Sequence, residues 1–188
     1  MEKKDLKPAG VFKYFEEICQ VPRPSKKEEK MIAYLKAFGA KHNLETKVDE
    51  AGNVLIKKPA TPGKENLQTV VLQSHIDMVC EKNNDVQHDF LTDPIETEID
   101  GEWLKAKGTT LGADNGIGVA TELAILADDS IEHGPLECLF TVDEETGLTG
   151  AFALQEGFMS GDILLNLDSE DEGEIFIGCA GGIDSVAE

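Results

Sequence analysis

Four short stretches of the sequence carry residue types that hold metal ions and move protons. The first is Ser74-His75-Ile76-Asp77-Met78, which closes the uncharged run Thr69-Val-Val-Leu-Gln. In an extended backbone His75 and Asp77 leave on the same side. A neutral imidazole is a good zinc ligand, and a carboxylate two residues away can orient its ring. Alone, His-x-Asp is a weak signal and is as readily a structural pair. The second stretch, Thr109-Thr-Leu-Gly-Ala-Asp114-Asn-Gly-Ile-Gly118, is a loop that opens a helix. Asp114 there has the bland reading of a helix N-cap flanked by turn glycines. The same glycines would let backbone approach a bound centre closely. A phosphate cradle is disfavoured, because no lysine follows them as in a P-loop.

The third stretch, Cys138-Leu-Phe-Thr-Val-Asp143-Glu144-Glu145-Thr-Gly147, puts three consecutive carboxylates at the end of an apolar run. They repel one another unless cations or protons intervene, a solvated acidic turn being the alternative. The fourth, Leu164-Leu-Asn-Leu167-Asp168-Ser-Glu170, again brings a carboxylate to an apolar strand's tip. Ligand sites in open α/β sheets lie beyond the carboxyl ends of strands. The four stretches therefore converge on one place, with His75, Asp77, Asp114, Glu144, Glu145 and Asp168 as candidates. Mixed imidazole and carboxylate ligation suits zinc, with manganese or cobalt as substitutes. Two metals sharing a carboxylate, with a free carboxylate nearby, form an arrangement that activates water for hydrolysis.

These side chains need elements to position them. Residues 8–19 have the spacing of an amphipathic helix, with Val11, Phe12, Phe15, Ile18 and Cys19 on one face. Pro22 and Pro24 break it. Ser25 with Glu28 has the pattern of a capping box opening a second helix with Met31, Ile32, Leu35 and Phe38 as its apolar stripe. Hairpins are expected for 45–49 with 54–58 around Gly52-Asn53, and for 95–99 with 103–106 around Asp100-Gly101. Residues 69–75, 136–142 and 162–167 are buried-strand candidates, with 174–177 a fourth, and 115–126 is helical. The expected architecture is an α/β three-layer αβα sandwich around a mixed, mostly parallel central sheet, one domain over residues 1–188.

The chain has 188 residues, enough for one domain, and 17 Lys+Arg against 37 Asp+Glu give a net charge of −20. With no basic footprint to neutralise phosphates, nucleic acid and anionic membrane are excluded as expected partners. Cys19, Cys80, Cys138 and Cys179 are far apart without a Cys-x-x-Cys pair, which fits reduced, buried thiols in a cytoplasmic protein. No run approaches membrane-spanning length, and the N-terminus lacks an apolar secretion segment.

Taken in order, Ser74–Met78, Gly112–Gly118, Asp143–Gly147 and Asn166–Glu170 resemble the metal motifs of the aminoacylase and carboxypeptidase-like zinc peptidases. More narrowly, His88-Asp-Phe90, Asp93-Pro-Ile95, Gly101-x-Trp103-Leu-Lys-Ala and Gly108-Thr-Thr-Leu-Gly112 resemble the aminoacyl-histidine dipeptidases. The resemblance covers nearly the whole chain. It implies that Asp114 bridges two zinc ions, that His75 and Asp168 complete one, and that Glu145 belongs to the other. Glu144 would be the general base and Asp77 would hold the His75 ring. It also implies a cis peptide between Asp114 and Asn115. The substrate implied is a small peptide, an unblocked dipeptide with C-terminal histidine. Tripeptide cleavage, N-acyl amino-acid deacylation, or a metal-binding fragment without turnover are the alternatives.

The family has a further histidine ligand far downstream and a lid domain before it. Neither is in this sequence, and His42, His88 and His133 match no ligand motif. The chain is therefore expected to be the N-terminal part of a catalytic domain, inactive as it stands. Its sequence does not decide between a monomer and a homodimer.

Overall fold

Four α-helices, a five-stranded sheet and a separate two-stranded hairpin make up the fold, seen in a computed structural model that describes residues 2–169 and 173–178. The order is α1 (Ala9–Cys19), α2 (Glu29–Lys41), β1 (Glu45–Val48), β2 (Val54–Lys58), β3 (Val70–His75), β4 (Thr97–Asp100), β5 (Trp103–Ala106), α3 (Ala113–Ala127), β6 (Leu136–Thr141), α4 (Thr149–Ala153) and β7 (Ile163–Asn166). The sheet runs β1-β2-β6-β3-β7, while among the described residues β4 and β5 pair with each other in a separate hairpin. The β1–β2 and β2–β6 ladders are antiparallel, and the β3–β6 and β3–β7 ladders are parallel. The mixed sheet agrees with expectation, with the parallel half on the side that carries the chemistry.

Strand alternation sorts the core into two faces. Val54, Ile56, Leu72, Cys138 and Phe140 join the buried faces of α1, α2 and α3, through residues such as Phe15, Ile18, Met31, Leu35, Val119 and Leu123. Each of the larger ones contributes about 1.5–3 kcal/mol by leaving water. The opposite face, with Leu55, Val71 and Leu139, is covered by Leu154, Phe158 and Met159 behind the short α4. One helical layer is thus thick and the other thin among the described residues.

Three local expectations are corrected. The Ser25–Glu28 capping box does not form: α2 has no side-chain cap hydrogen bond, because Ser25 Oγ donates to Asp77 Oδ2 at 2.7 Å instead. Residues 174–177 are not a strand, and Ile175, Phe176 and Ile177 are exposed. An apolar run pairs only where a neighbouring strand offers hydrogen bonds, and none is supplied to this run by the described residues. Asp114 is not an N-cap; that position belongs to Gly112, and Asp114 and Asn115 lie inside the first turn with non-helical backbone angles. The Asp114–Asn115 peptide is cis, as is Lys7–Pro8. Of the cysteines, Cys19 and Cys138 are buried and Cys80 half-buried, all three as free thiols. Cys179 and Glu170 lie outside the described residues.

Candidate metal centre

The parallel register decides where the chemistry gathers. β3 pairs with β6 so that His75 lies beside Thr141, and with β7 so that Gln73 lies beside Asn166. Two residues on from Thr141 and from Asn166 the chain reaches Asp143 and Asp168. Three adjacent strands therefore release His75, Glu144-Glu145 and Asp168 at the same edge, and the loop into α3 brings Asp114 over them.

His75 is the centre of the group and is almost fully buried. Its Nδ1 lies 3.2 Å from Asp77 Oδ1. Its Nε2 faces the other way, 3.1 Å from Asp114 Oδ1 and 3.8 Å from Asp168 Oδ2. Donor atoms sharing one tetrahedral zinc at about 2.1 Å each would be separated by about 3.4 Å. The two observed distances bracket that value, so the donor set fits one small divalent ion. Ligand atoms of His75, Asp114 and Asp168 all lie within 4.8 Å of one another, and so do those of His75, Glu144 and Glu145. All six residues named from the sequence are thus brought together, with Asp114 the exposed member.

The electrostatics follow from the crowding. Burial opposes a charge on His75, but hydrogen bonding to Asp77 and the charge of Asp168 outweigh it and raise the imidazole pKa to about 9. Burial likewise opposes the Asp77 carboxylate, and hydrogen bonds from His75, the Glu144 N–H and Ser25 override it, holding its pKa at about 2. Asp168 moves the other way, to about 6, through burial and the nearby Asp114 and Glu144, although His75 pulls against the rise. Glu145 is raised by burial and by Asp114, Glu144 and Asp77, again against His75. Like charges sharing a confined space cannot all ionise freely without a cation.

Several contributors were not evident in the sequence. Asp143, the first of the three consecutive acids, turns away from the site: its carboxylate accepts from the hydroxyls of Thr146 and Thr149 at 2.6 and 2.5 Å. Glu28 Oε1 accepts from the Asp143 N–H at 3.0 Å, and Asp77 accepts from the Glu144 and Glu145 N–H groups at 3.0 and 3.2 Å. Glu28, Asp77 and Asp143 are all buried, with oxygens within 4.8 Å, yet these donors occupy them, so they form a scaffold below the ligands. Their partners are up to 115 residues away in sequence, out of reach of any local pattern. The remaining histidines sit elsewhere: His42 against the Phe38 ring, His88 against Phe90, and His133 on the Gly134 carbonyl.

Comparison with known proteins agrees with this geometry. Residues 71–182 match the sequence pattern of Peptidase family M20/M25/M40. Over 183 residues the chain is 54% identical to the cytosol non-specific dipeptidase of Escherichia coli (strain K12), covering 97% of this chain and 38% of that protein. The crystal structure of aminoacylhistidine dipeptidase from Vibrio alginolyticus superposes with a TM-score of 0.92 at 56% identity, over 95% of this chain and 36% of that one. A tripeptidase from Staphylococcus aureus, at 23% identity, shares the fold with a TM-score of 0.73 over 86% of this chain and 43% of its own. The chain thus spans less than half the length of these relatives. By the match over residues 71–182, more than half of its length, the chain belongs to peptidase family M20/M25/M40.

Proposed function

We propose that this chain is the metal-binding portion of a dipeptidase that hydrolyses its substrate at two zinc ions, the Xaa-His class being the first to test. The observation that carries the reading is the His75 imidazole, buttressed by Asp77 on one nitrogen and facing Asp114 and Asp168 with the other. Its relatives' names, one a non-specific dipeptidase and one an aminoacylhistidine dipeptidase, support the substrate class.

In this reading His75, Asp114 and Asp168 hold one ion, and Asp114 and Glu145 serve the other. When bound, the ions polarise the peptide carbonyl and acidify the attacking water. Manganese or cobalt could substitute, since the donors are nitrogen and oxygen. Glu144 takes the proton from the water and passes it to the leaving amine. Asp77 fixes the tautomer of His75, keeping Nε2 free to act as ligand. The buried scaffold of Glu28 and Asp143 holds the Glu144–Glu145 turn against Asp77, so that base and ligand keep their separation.

The cytoplasm is the proposed location, on the name of the Escherichia coli relative. Among the described residues no helix is long and apolar enough to cross a membrane. A small peptide is the proposed partner.

The test is a substrate panel of Xaa-His and other dipeptides, tripeptides and N-acyl amino acids, run on the protein carrying this chain before and after chelation. Dipeptide cleavage lost with chelator and restored by zinc supports the reading. Hydrolysis confined to tripeptides or N-acyl amino acids, or insensitive to chelation, contradicts it.

A further inference from the structure

Arg23 is the chain's single arginine, and it is buried where an unpaired cation is costly. It lies between α1 and α2 in Pro22-Arg23-Pro24-Ser25 and is 2% exposed. Among the described residues no carboxylate forms an ion pair with it. Instead its Nη1 donates to the carbonyls of Ile76 and Asp77, both at 3.1 Å, and its Nη2 donates to the carbonyl of Gly112 at 2.5 Å. The backbone is fastened to the same place: the Met78 N–H donates to the Arg23 carbonyl at 3.2 Å, and Pro24 bridges Met78 in parallel.

The three accepting carbonyls belong to two different segments. Ile76 and Asp77 directly follow His75 at the tip of β3, whereas Gly112 opens α3 two residues before Asp114. One planar guanidinium therefore bolts the segment bearing His75 to the segment bearing Asp114. A fork of N–H donors fixed in one plane can do this; a lysine ammonium, a compact point charge on a flexible stem, cannot reproduce the fork.

The surrounding glycines are shaped to the same guanidinium. A Cβ at Gly112 would lie 2.5 Å from Arg23 Nη2, and a Cβ at Gly116 would lie 2.7 Å from it. Gly112 also has φ +68°, where side chains are disfavoured. Two glycines of the Gly-Ala-Asp-Asn-Gly motif are thus accounted for by the cation packed behind it.

We propose that Arg23 is a positioning residue for the metal centre: its guanidinium sets the separation of His75 and Asp114, and hence the geometry and affinity of the ion they share. The proposal rests on the metal reading of those ligands and adds a residue that touches none of them through its guanidinium. Buried charge without a carboxylate partner is costly unless hydrogen bonds offset it, and here the offset is spent on the two ligand-bearing segments.

The test is a Co2+ titration of the chain, followed by the visible absorption of the bound ion and by competition with zinc. Arg23→Met is expected to remain folded by circular dichroism but to bind about 10- to 100-fold more weakly, the loss typical when a group orienting a ligand is removed, with a changed cobalt spectrum. In Arg23→Ala, millimolar guanidinium should restore affinity and spectrum, and urea, equally planar but uncharged, should not. Gly116→Ala keeps the arginine but crowds Nη2, so it should show a similar loss and serves if the arginine variants fail to fold. Unchanged affinity and spectrum in Arg23→Met, or in Gly116→Ala, overturns the proposal. A wild-type chain that takes up no Co2+ overturns the metal reading, and this proposal with it.

Discussion

The carboxylates around His75 have unequal tasks, and the adjacent pair Glu144 and Glu145 separates them most sharply. Both backbone N–H groups are pinned to Asp77, so substitution of either side chain leaves the turn in place. Glu144→Gln keeps the shape and loses the proposed base; hydrolysis should fall by at least about 100-fold while zinc content stays near its original value. Glu145→Gln should instead weaken one ion, read by metal analysis after dialysis. Metal loss in the first variant and retention in the second would reverse these roles. A second expectation concerns His75, whose pKa of about 9 leaves it protonated at neutrality in the chain alone. Zinc can coordinate Nε2 only after that proton leaves, so binding should release about one proton near pH 7. Calorimetry in two buffers of different ionisation enthalpy measures the release, and a heat independent of buffer contradicts it. The clustering itself was legible from the sequence, since His75, Asp114, Glu144, Glu145 and Asp168 each follow a strand or open a helix in a recognisable stretch, and the fold brings them together. Ser25 and Arg23 were not, because their partners are 52 or more residues away and only the fold brings them together.

Among the elements, the packing of α3 on β3 and β6 carries an unusual burden. Glu122, in the middle of α3, is fully buried, and neither carboxyl oxygen has a hydrogen-bond partner. The Ser74 hydroxyl lies beside it outside good hydrogen-bond geometry, and burial pushes the Glu122 pKa well above its ordinary value. Below about pH 4.5 the folded and unfolded chains both keep this proton. Above that, the unfolded chain alone ionises, so stability drains away as pH rises, at up to about 1.4 kcal/mol per pH unit until the folded group titrates. Glu122→Gln removes the titration. Its stability relative to wild type should therefore grow as pH rises above about 4.5 in urea unfolding, and parallel curves would contradict the burial argument. Elements were legible where pattern and packing agree: β3 and β6 are largely buried as their uncharged runs suggest, and α1 buries Phe15, Ile18 and Cys19 of its marked face, with Val11 and Phe12 half-buried at its first turn. The reading failed where a local rule met a stronger distant partner, as when Asp77 took the Ser25 hydroxyl from α2. Glu122 was missed for the related reason that a glutamate within a helical pattern is ordinarily on its solvated face.

For the whole molecule, a net charge of −20 with acids gathered at one edge of the sheet makes the folded state sensitive to divalent cations. An ion that binds the native cluster and little else stabilises the fold by mass action, by about 2.7 kcal/mol when present at one hundred times its dissociation constant. Zinc should therefore raise the melting temperature in a saturable way, and a melt that zinc leaves unmoved would argue against a formed site. On the proposed assignment one ion would draw His75, Asp114 and Asp168 from this chain and the other Asp114 and Glu145, so the first site is expected to fill before the second. The measurement that bears most directly on all of this is anomalous diffraction at the zinc edge from crystals of the chain grown with zinc. A strong peak is expected bonded to His75 Nε2, Asp114 and Asp168, with a weaker second peak on the far side of Asp114 toward Glu145, about 3.5–4 Å from the first. Zinc bound elsewhere with none between His75 and Asp168 would contradict the assignment.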